Sequence, residues 1–208
     1  MDEIKIIDPL TDTRWDKFVG NHPLGWVVHL SGWKKVIEQT FSHIQGHYFA
    51  LINTDNDEIK ACLPIYEIRS WLTGKRLVSI PFATVSDVLT SNSHQSDLLI
   101  NEAIKLLNRL KYAHMEIRAL NASLLIHHAQ LIENHDYKHH YLDLSAGQEA
   151  IWNQLNYKAI RYEINKANKN KLKIKIADSE NDLHIFYHLY SLTRKRLGLP
   201  SQPYLFFK

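Results

Sequence analysis

Two extended runs joined by a four-residue polar turn constrain this chain most. Residues 48–52 (Tyr-Phe-Ala-Leu-Ile) and 59–68 are rich in the branched and aromatic side chains that suit pleated backbone. Thr54-Asp55-Asn56-Asp57 lies between them. The pattern predicts an antiparallel hairpin. Trp71-Leu72-Thr73-Gly74 marks a second turn, and residues 77–82 predict a third strand that ends near Pro81. Pro64 cannot donate to a ladder, so it predicts an edge or a bulge inside the second strand.

The flanks add helices. Ile4, Ile6 and Ile7 predict an opening strand ended by Pro9. Thr11 or Asp12 then caps a short helix carrying Trp15, Phe18 and Val19. After the turn His22-Pro23-Leu24-Gly25, Ser31 is expected to cap a second helix with Trp33, Val36, Ile37, Thr40 and Phe41 on one stripe. Beyond the meander, residues 83–93 are polar and read as a loop. Ser96 is expected to cap a long helix whose buried side is Leu99, Ala103, Leu106, Leu107 and Leu110. A strand over 115–120 and a short helix over 124–132 follow. Strand, helices, meander, helix and strand make an α/β (α+β) domain with a mixed sheet.

A second unit is expected from Tyr137, so that residues 1–136 form the first domain and 137–208 the second. Residues 141–144 predict a strand. Ser145 with Gln148 has the spacing of a capping box and opens a helix with Ile151, Trp152 and Leu155. Residues 157–176 then gather seven of the chain's 25 basic residues. Tyr157, Ile160, Ile164 and Ala167 fall on one helical stripe, and Lys158, Arg161, Asn165 and Lys169 on the next. Leu172, Ile174 and Ile176 alternate with lysines and predict a half-buried strand. Ser179 and Asp182 predict a second box, opening a helix with Leu183, Phe186, Tyr190, Thr193 and Leu197 on one side. Arg194, Lys195 and Arg196 complement the dipole at its end, and Gly198 and Pro200 stop it. The aromatic segment 204–208 looks like a strand, and the second unit reads as incomplete.

The totals exclude several classes. At 208 residues, 45% hydrophobic and 23% charged, the chain has globular composition. A net charge of +3 is too mild for a protein that coats DNA. Cys62 is the sole cysteine, so the chain can form neither an internal disulfide nor a cysteine-based zinc cluster, and it fits a reducing cytoplasm. It shows no secretory signal and no run near the ~18 apolar residues of a membrane span. His135 and His139 are four apart, but Asp136 is not placed like the Glu of a zinc-protease motif. The pairs His127-His128 and His139-His140 bring no third ligand at a defined spacing, so no metal is expected. No G-x-S-x-G supports serine catalysis, and Cys62 sits in an apolar strand context as a small hydrophobe.

Several motifs in order resemble one family. They are W-K-K-V-I-E-x-T-F (residues 33–41), C-L-P-I (62–65), S-x-L-x-G-x-x-L-V-S-I-P-F (70–82), K-x-x-R-x-x-I-x-K-A-x-K (158–169) and T-R-K-R-L-G-L-P (193–200). Together they resemble the FemAB-like proteins, transferases of the GNAT (acyl-CoA N-acyltransferase) fold. Some of these are peptidoglycan bridge-forming aminoacyltransferases; the subgroup most similar accompanies bacterial surface-polysaccharide and protein-sorting systems. The resemblance implies one complete GNAT-like unit and the start of a second. It implies transfer of an aminoacyl or acyl group to an amine of a nucleotide- or lipid-linked cell-wall or polysaccharide precursor. No resident cofactor is implied, since aminoacyl-tRNA or acyl-CoA would serve as co-substrate. Membrane contact would be peripheral, through a lipid-linked substrate.

Basic residues on the matching helix contact acceptor phosphates in that family. This points to Arg161, whose fork can hold phosphate bidentately, with Lys158 and Lys169 on its stripe and Lys166 further round. Arg194 would extend the surface, and Lys34 and Lys35 would face a substrate groove. No residue stands out as the catalytic base. The chain departs from the family in three respects. Ala83-Thr84-Val85-Ser86-Asp87 stands where the family commonly has a Gly-rich segment, family chains usually continue well past Leu205, and with seven glycines there is no R/Q-x-x-G-x-G/A loop for coenzyme A pyrophosphate. The alternatives are a coenzyme A-dependent N-acyltransferase and a non-catalytic module for RNA or an anionic glycan.

Overall fold

In the computed structural model, which describes residues 1–120, 122–125, 128–134 and 138–208, the two extended runs pair as expected. β2 (Ile44–Asn53) and β3 (Glu58–Ser70) are antiparallel, with Tyr48 opposite Pro64. β1 (Asp2–Ile7) adds antiparallel to β2, and β4 (Gly74–Val78) antiparallel to β3. The two-residue β5 (Met115–Glu116) runs parallel to β4, which completes a mixed sheet in the order β1-β2-β3-β4-β5. Pro64 is accommodated at a local edge. Cys62 exchanges backbone hydrogen bonds of 2.8 and 3.0 Å with Leu89, on the side away from β2. Pro64, two residues on, faces the same side, so its missing N–H leaves the β2 ladder whole. The bulge lies elsewhere, at Leu51/Ile52.

Helices cover both faces. α3 (Ser93–Leu110) lays Leu99, Ile100, Ala103 and Leu106 over Phe49, Leu51, Leu63, Ile65 and Leu77. On the opposite face, α1 (Thr13–Asn21) packs on β3 and α2 (Ser31–Thr40) on β2. Trp15 is 0% exposed, meets the Tyr48 ring edge-on at 4.9 Å and donates from Nε1 to the carbonyl of His29 at 2.7 Å.

The caps follow side-chain reach more closely than composition. Asp12 caps α1, its carboxylate accepting from the Arg14 N–H at 3.1 Å. Ser31 does not cap α2. It is the helix's first residue, and its N–H and hydroxyl both donate to Asp16 (2.7 and 2.6 Å), tying α1 to α2. Asn92, not Ser96, caps α3, accepting from the Gln95 N–H at 3.0 Å; Ser96 is buried one turn inside.

The polar segment 79–92 is the main surprise. Ala83, Ser86, Asp87, Val88, Leu89 and Thr90 are buried. Its backbone is stitched to the chain around β5: Ser79 N–H to Glu116 O (2.8 Å), Ser86 N–H to Arg118 O (2.6 Å), and Leu120 N–H to the Asp87 carboxylate (2.9 Å). These bonds take the groups that a longer strand over 115–120 would have used, so β5 stays at two residues. The strand expected over 77–82 ends early, at Val78. Phe82 takes a left-handed φ of 62° and stacks on Phe41 at 4.8 Å. The helix expected over 124–132 is not found among the described residues: a 3₁₀ turn at Ala122–Leu124 reaches only its first position, residues 128–132 are turn or irregular, and residues 126 and 127 lie outside the described set.

Contacts divide the chain into Met1–Asn134 and His135–Lys208. The boundary expected at 136/137 falls on residues outside the described set. In the second unit, α4 (Gln148–Gln154) starts after Gly147, not at a box on Ser145, whose N–H instead bonds Asp143 at 2.9 Å. Among the described residues of this unit there is no strand. Residues 141–144 and 172–176 are irregular and pair with no strand, with Ile174 fully exposed. Alternation supplies a face, but a strand also needs a neighbour to take its backbone bonds. α6 (Glu180–Arg196) begins where expected, with Ser179 accepting from the Asp182 N–H at 3.2 Å, and Gly198 (φ 68°) follows its end. The aromatic segment 204–208 is not a strand. It turns as a 3₁₀ helix (Tyr204–Phe206) back onto α6, where Tyr204 stacks on His184 at 4.6 Å and Phe207 meets Tyr190 at 4.9 Å.

Candidate functional site

The basic stretch of the second unit has two parts. Residues Tyr157–Arg161 form a π-helical turn, capped by Asn156, whose side chain accepts from the Ala159 N–H at 2.9 Å. α5 (Tyr162–Lys169) continues from it. A π turn takes up an extra residue. The phase of the helix therefore shifts after Arg161, and Lys158 falls out of line with Asn165 and Lys169. The single stripe read from spacing is split in two.

Arg161 is the best-anchored cation here. Its Nε donates to Leu155 O at 2.9 Å and its Nη2 to Asn153 O at 2.6 Å, and the guanidinium lies 5.8 Å from the Trp152 ring centre. Those carbonyls belong to the C-terminal end of α4, where a cation suits the helix dipole. The side chain is half-buried and aimed. Lys158, Lys166 and Lys169 are exposed; Lys166 lies 3.8 Å from Glu163. Lys171 ends α5 in a left-handed conformation (φ 54°). Lys175 bonds Asp182 at 2.8 Å, and this contact, helped by Ser179, brings the Asp182 carboxyl down to about 2. Arg194, in the last turn of α6, donates from Nε to Pro200 O at 3.0 Å, in the segment that follows the helix.

Lys34 and Lys35 lie in the first unit. Lys34 is nearly covered, paired with Glu38 and lying 3.9 Å from Asp8, while Lys35 is exposed. Glu38 also accepts from the Gly46 N–H at 2.8 Å. Gly46 is required where it stands: a Cβ there would lie 2.7 Å from the Tyr48 ring and 3.1 Å from that of Tyr66. Those two tyrosines are buried and hydrogen-bonded hydroxyl to hydroxyl.

One cluster was not anticipated. Glu67 is buried on the α3 face of β3. It accepts from the Tyr112 hydroxyl, its Oε2 lies 3.3 Å from His47 Nε2, and its Oε1 lies 3.5 Å from Arg69 Nε. Burial pushes its carboxyl up, but the bonds from Tyr112 and His47 and the charge of Arg69 outweigh this and hold it below the ordinary range. The signal was available in the sequence. Glu67 is in phase with the inward residues Leu63 and Ile65, and an ionisable group there needs partners. A carboxylate pinned between imidazole and phenol also fixes the imidazole's orientation.

Among the described residues no three of His, Cys, Asp and Glu gather closely enough to hold a metal ion; His127, His135 and Asp136 lie outside that set. Among the same residues no helix is long and apolar enough to cross a membrane. Burial pushes the Cys62 thiol well up.

No protein-family model matches the chain, and no characterised protein sequence is detectably similar. Solved structures do match. FemX superposes on 99% of this chain with a TM-score of 0.64 at 14% identity. The chain has a FemAB-like GNAT fold. It spans about half (53%) of the length of that FemX structure. An acetyltransferase from Trypanosoma brucei (TM-score 0.47, 13% identity) and glucosamine-6-phosphate N-acetyltransferase from Arabidopsis thaliana (0.48, 9%) each cover 69% of this chain and nearly all of their own, likenesses too slight to argue from.

Proposed function

We propose that this chain serves a FemAB-like acyltransferase, moving an aminoacyl or acyl group to the amine of a cell-wall or surface-polysaccharide precursor. The observation that carries the reading is the FemX fold, which extends over 99% of the chain. In such a reaction the free amine attacks the ester carbonyl directly. A C–N bond forms, the C–O bond of an aminoacyl ester (or the C–S bond of an acyl-CoA thioester) breaks, and the amine's proton leaves with the departing alcohol (or thiol). Alignment of the two substrates and support for the tetrahedral oxyanion supply the acceleration. The donor, aminoacyl-tRNA or acyl-CoA, is a co-substrate, so the protein needs no resident cofactor, and the setting is the bacterial cytoplasm. The acceptor's phosphates would meet Arg161, Lys158, Lys166 and Lys169, with Arg194 as a further contact of the same unit; Lys34 and Lys35 of the first unit are separate candidates for a substrate groove of that unit. Arg161 suits this role because its two carbonyl bonds hold the guanidinium in place, which lowers the ordering cost of binding an anion.

Titration of the full chain with a UDP-muropeptide tests the site. Arg161→Ala is expected to weaken binding by about tenfold, in line with a lost charge-assisted bond. Binding indifferent to that change would sink the assignment. A second reading, a module for RNA or an anionic glycan, is favoured by the exposure of Lys169, Lys171 and Lys173. Steeply salt-dependent RNA binding with no acyl transfer would select it.

A further inference from the structure

We propose that the tip of the β3–β4 hairpin docks the first unit onto an anionic lipid surface. At the apex Trp71 and Leu72 are 96% and 75% exposed. A firmly built turn holds them out. The Ser70 hydroxyl accepts from the N–H groups of Leu72 and Thr73 at 3.2 and 3.0 Å, Gly74 takes a φ of 81°, and Arg76 donates to the Thr73 hydroxyl at 2.9 Å. Two large apolar side chains on such a turn contribute nothing to the core.

Cations lie behind the tip, on the hairpin strands and at the helix end beside them. Arg69 pairs with Lys75 across the hairpin, and Ile68 with Arg76. Arg109 lies in the last turn of α3 and Lys111 directly follows that helix. This helix end is held beside β3 by the hydrogen bond from Tyr112 to Glu67. Glu67 is the only acidic residue within 66–78 and 107–115. It is buried and occupied by Tyr112, His47 and Arg69, so it offers little opposing charge to an approaching surface.

The combination selects the partner. A soluble polyanion would use the five cations and ignore the apex. An apolar groove on a protein would use the apex and gain nothing from five cations. A bilayer with anionic headgroups takes both at once, tryptophan settling at the level of the headgroups and basic side chains meeting the lipid charge. Depths agree as well. At about 3.3 Å per residue, Arg69, Lys75 and Arg76 sit roughly 5–10 Å behind the apex, the depth to which interfacial segments enter. The inference is independent of the acyl-transfer reading.

Flotation of the full chain with vesicles is the test, using phosphatidylcholine alone and phosphatidylcholine mixed with phosphatidylglycerol. The chain is expected to float with the mixed vesicles at low salt and not with the neutral ones. The double variant Trp71→Ala/Leu72→Ser should lower the bound fraction about tenfold or more. Lys75→Gln should weaken binding by about fivefold, as one charge near the surface does. Both variants should melt at the wild-type temperature. Failure to float with the mixed vesicles overturns the proposal. So does flotation that survives the apex substitutions, which would assign the contact to charge alone and to the lysines of 158–175. Self-association that depends on the apex, seen by sedimentation without flotation, would overturn it in favour of a protein partner.

Discussion

The first unit hides Trp15, Tyr48, Tyr66, Leu63 and Leu99 almost completely, whereas among the described residues of the second unit none is buried. Both units have amphipathic helices, capped starts and aromatic residues. Among the described residues, only the first has a sheet to receive the apolar stripes. The second is held by other means: the Arg161 guanidinium on the end carbonyls of α4, Arg194 on the Pro200 carbonyl beyond α6, the Ser179 cap, and an aromatic cluster between α6 and residues 204–207. Hydrophobic stabilisation scales with the area removed from water, so the two regions should respond very differently to truncation.

The largest effect is expected for Trp15→Ala. Removing that ring empties the α1–sheet contact and strands the His29 carbonyl, at a cost of about 3–5 kcal/mol in a urea titration. A loss under about 1 kcal/mol would break the comparison. Gly46→Ala comes next. Its methyl would strike the rings of Tyr48 and Tyr66, and overpacking of this kind costs about 1–3 kcal/mol. Glu67→Gln should cost about 1–3 kcal/mol near neutral pH, because His47, Arg69 and Tyr112 lose a charged acceptor. Its pH dependence has a definite sign. The folded carboxyl titrates below its ordinary value, so its contribution is fully present above about pH 4.3 and disappears as the pH falls through the folded value. The gap between wild type and Glu67→Gln should therefore close in acid; a gap that widens there would show that the network does not hold the ionised form. The smallest effect is expected in the second unit, where Ile174→Ser should change stability by no more than about 0.5 kcal/mol. A multi-kcal/mol loss there would show that the exposed segment is covered in solution.

The same contrast explains what was legible. The β2–β3 hairpin, α1, α2, α3 and the start of α6 announced themselves because local pattern and tertiary need agree there: Leu99, Ala103 and Leu106 fall on one stripe, and a sheet waits for them. Residues 172–176 have an equally clean alternation and do not form a strand, because no neighbouring backbone pairs with them. Residues 83–93, read as a loop from their polar composition, carry no helix or named strand before α3, but most of 83–90 is buried. There Ser86 and Asp87 satisfy backbone groups of Ile80 and Leu120 inside the fold, a use of polarity that periodicity does not report. Charge and spacing mark Arg161 in the sequence, but its hold on Asn153 and Leu155 depends on where α4 ends, and that helix starts at Gln148 rather than at a Ser145 box. Glu67 passed unnoticed in an apolar strand because its partners come from positions as distant as His47 and Tyr112.

The burial of Cys62 has a practical consequence. It is the sole thiol of the chain, sealed at the seam where β3 meets Leu89, with its ionisation suppressed by burial. A thiol reagent can reach it only when that seam parts. Its rate of labelling under native conditions therefore clocks the opening of the first unit's sheet, and turns an otherwise silent side chain into a gauge of how often that sheet lets solvent in.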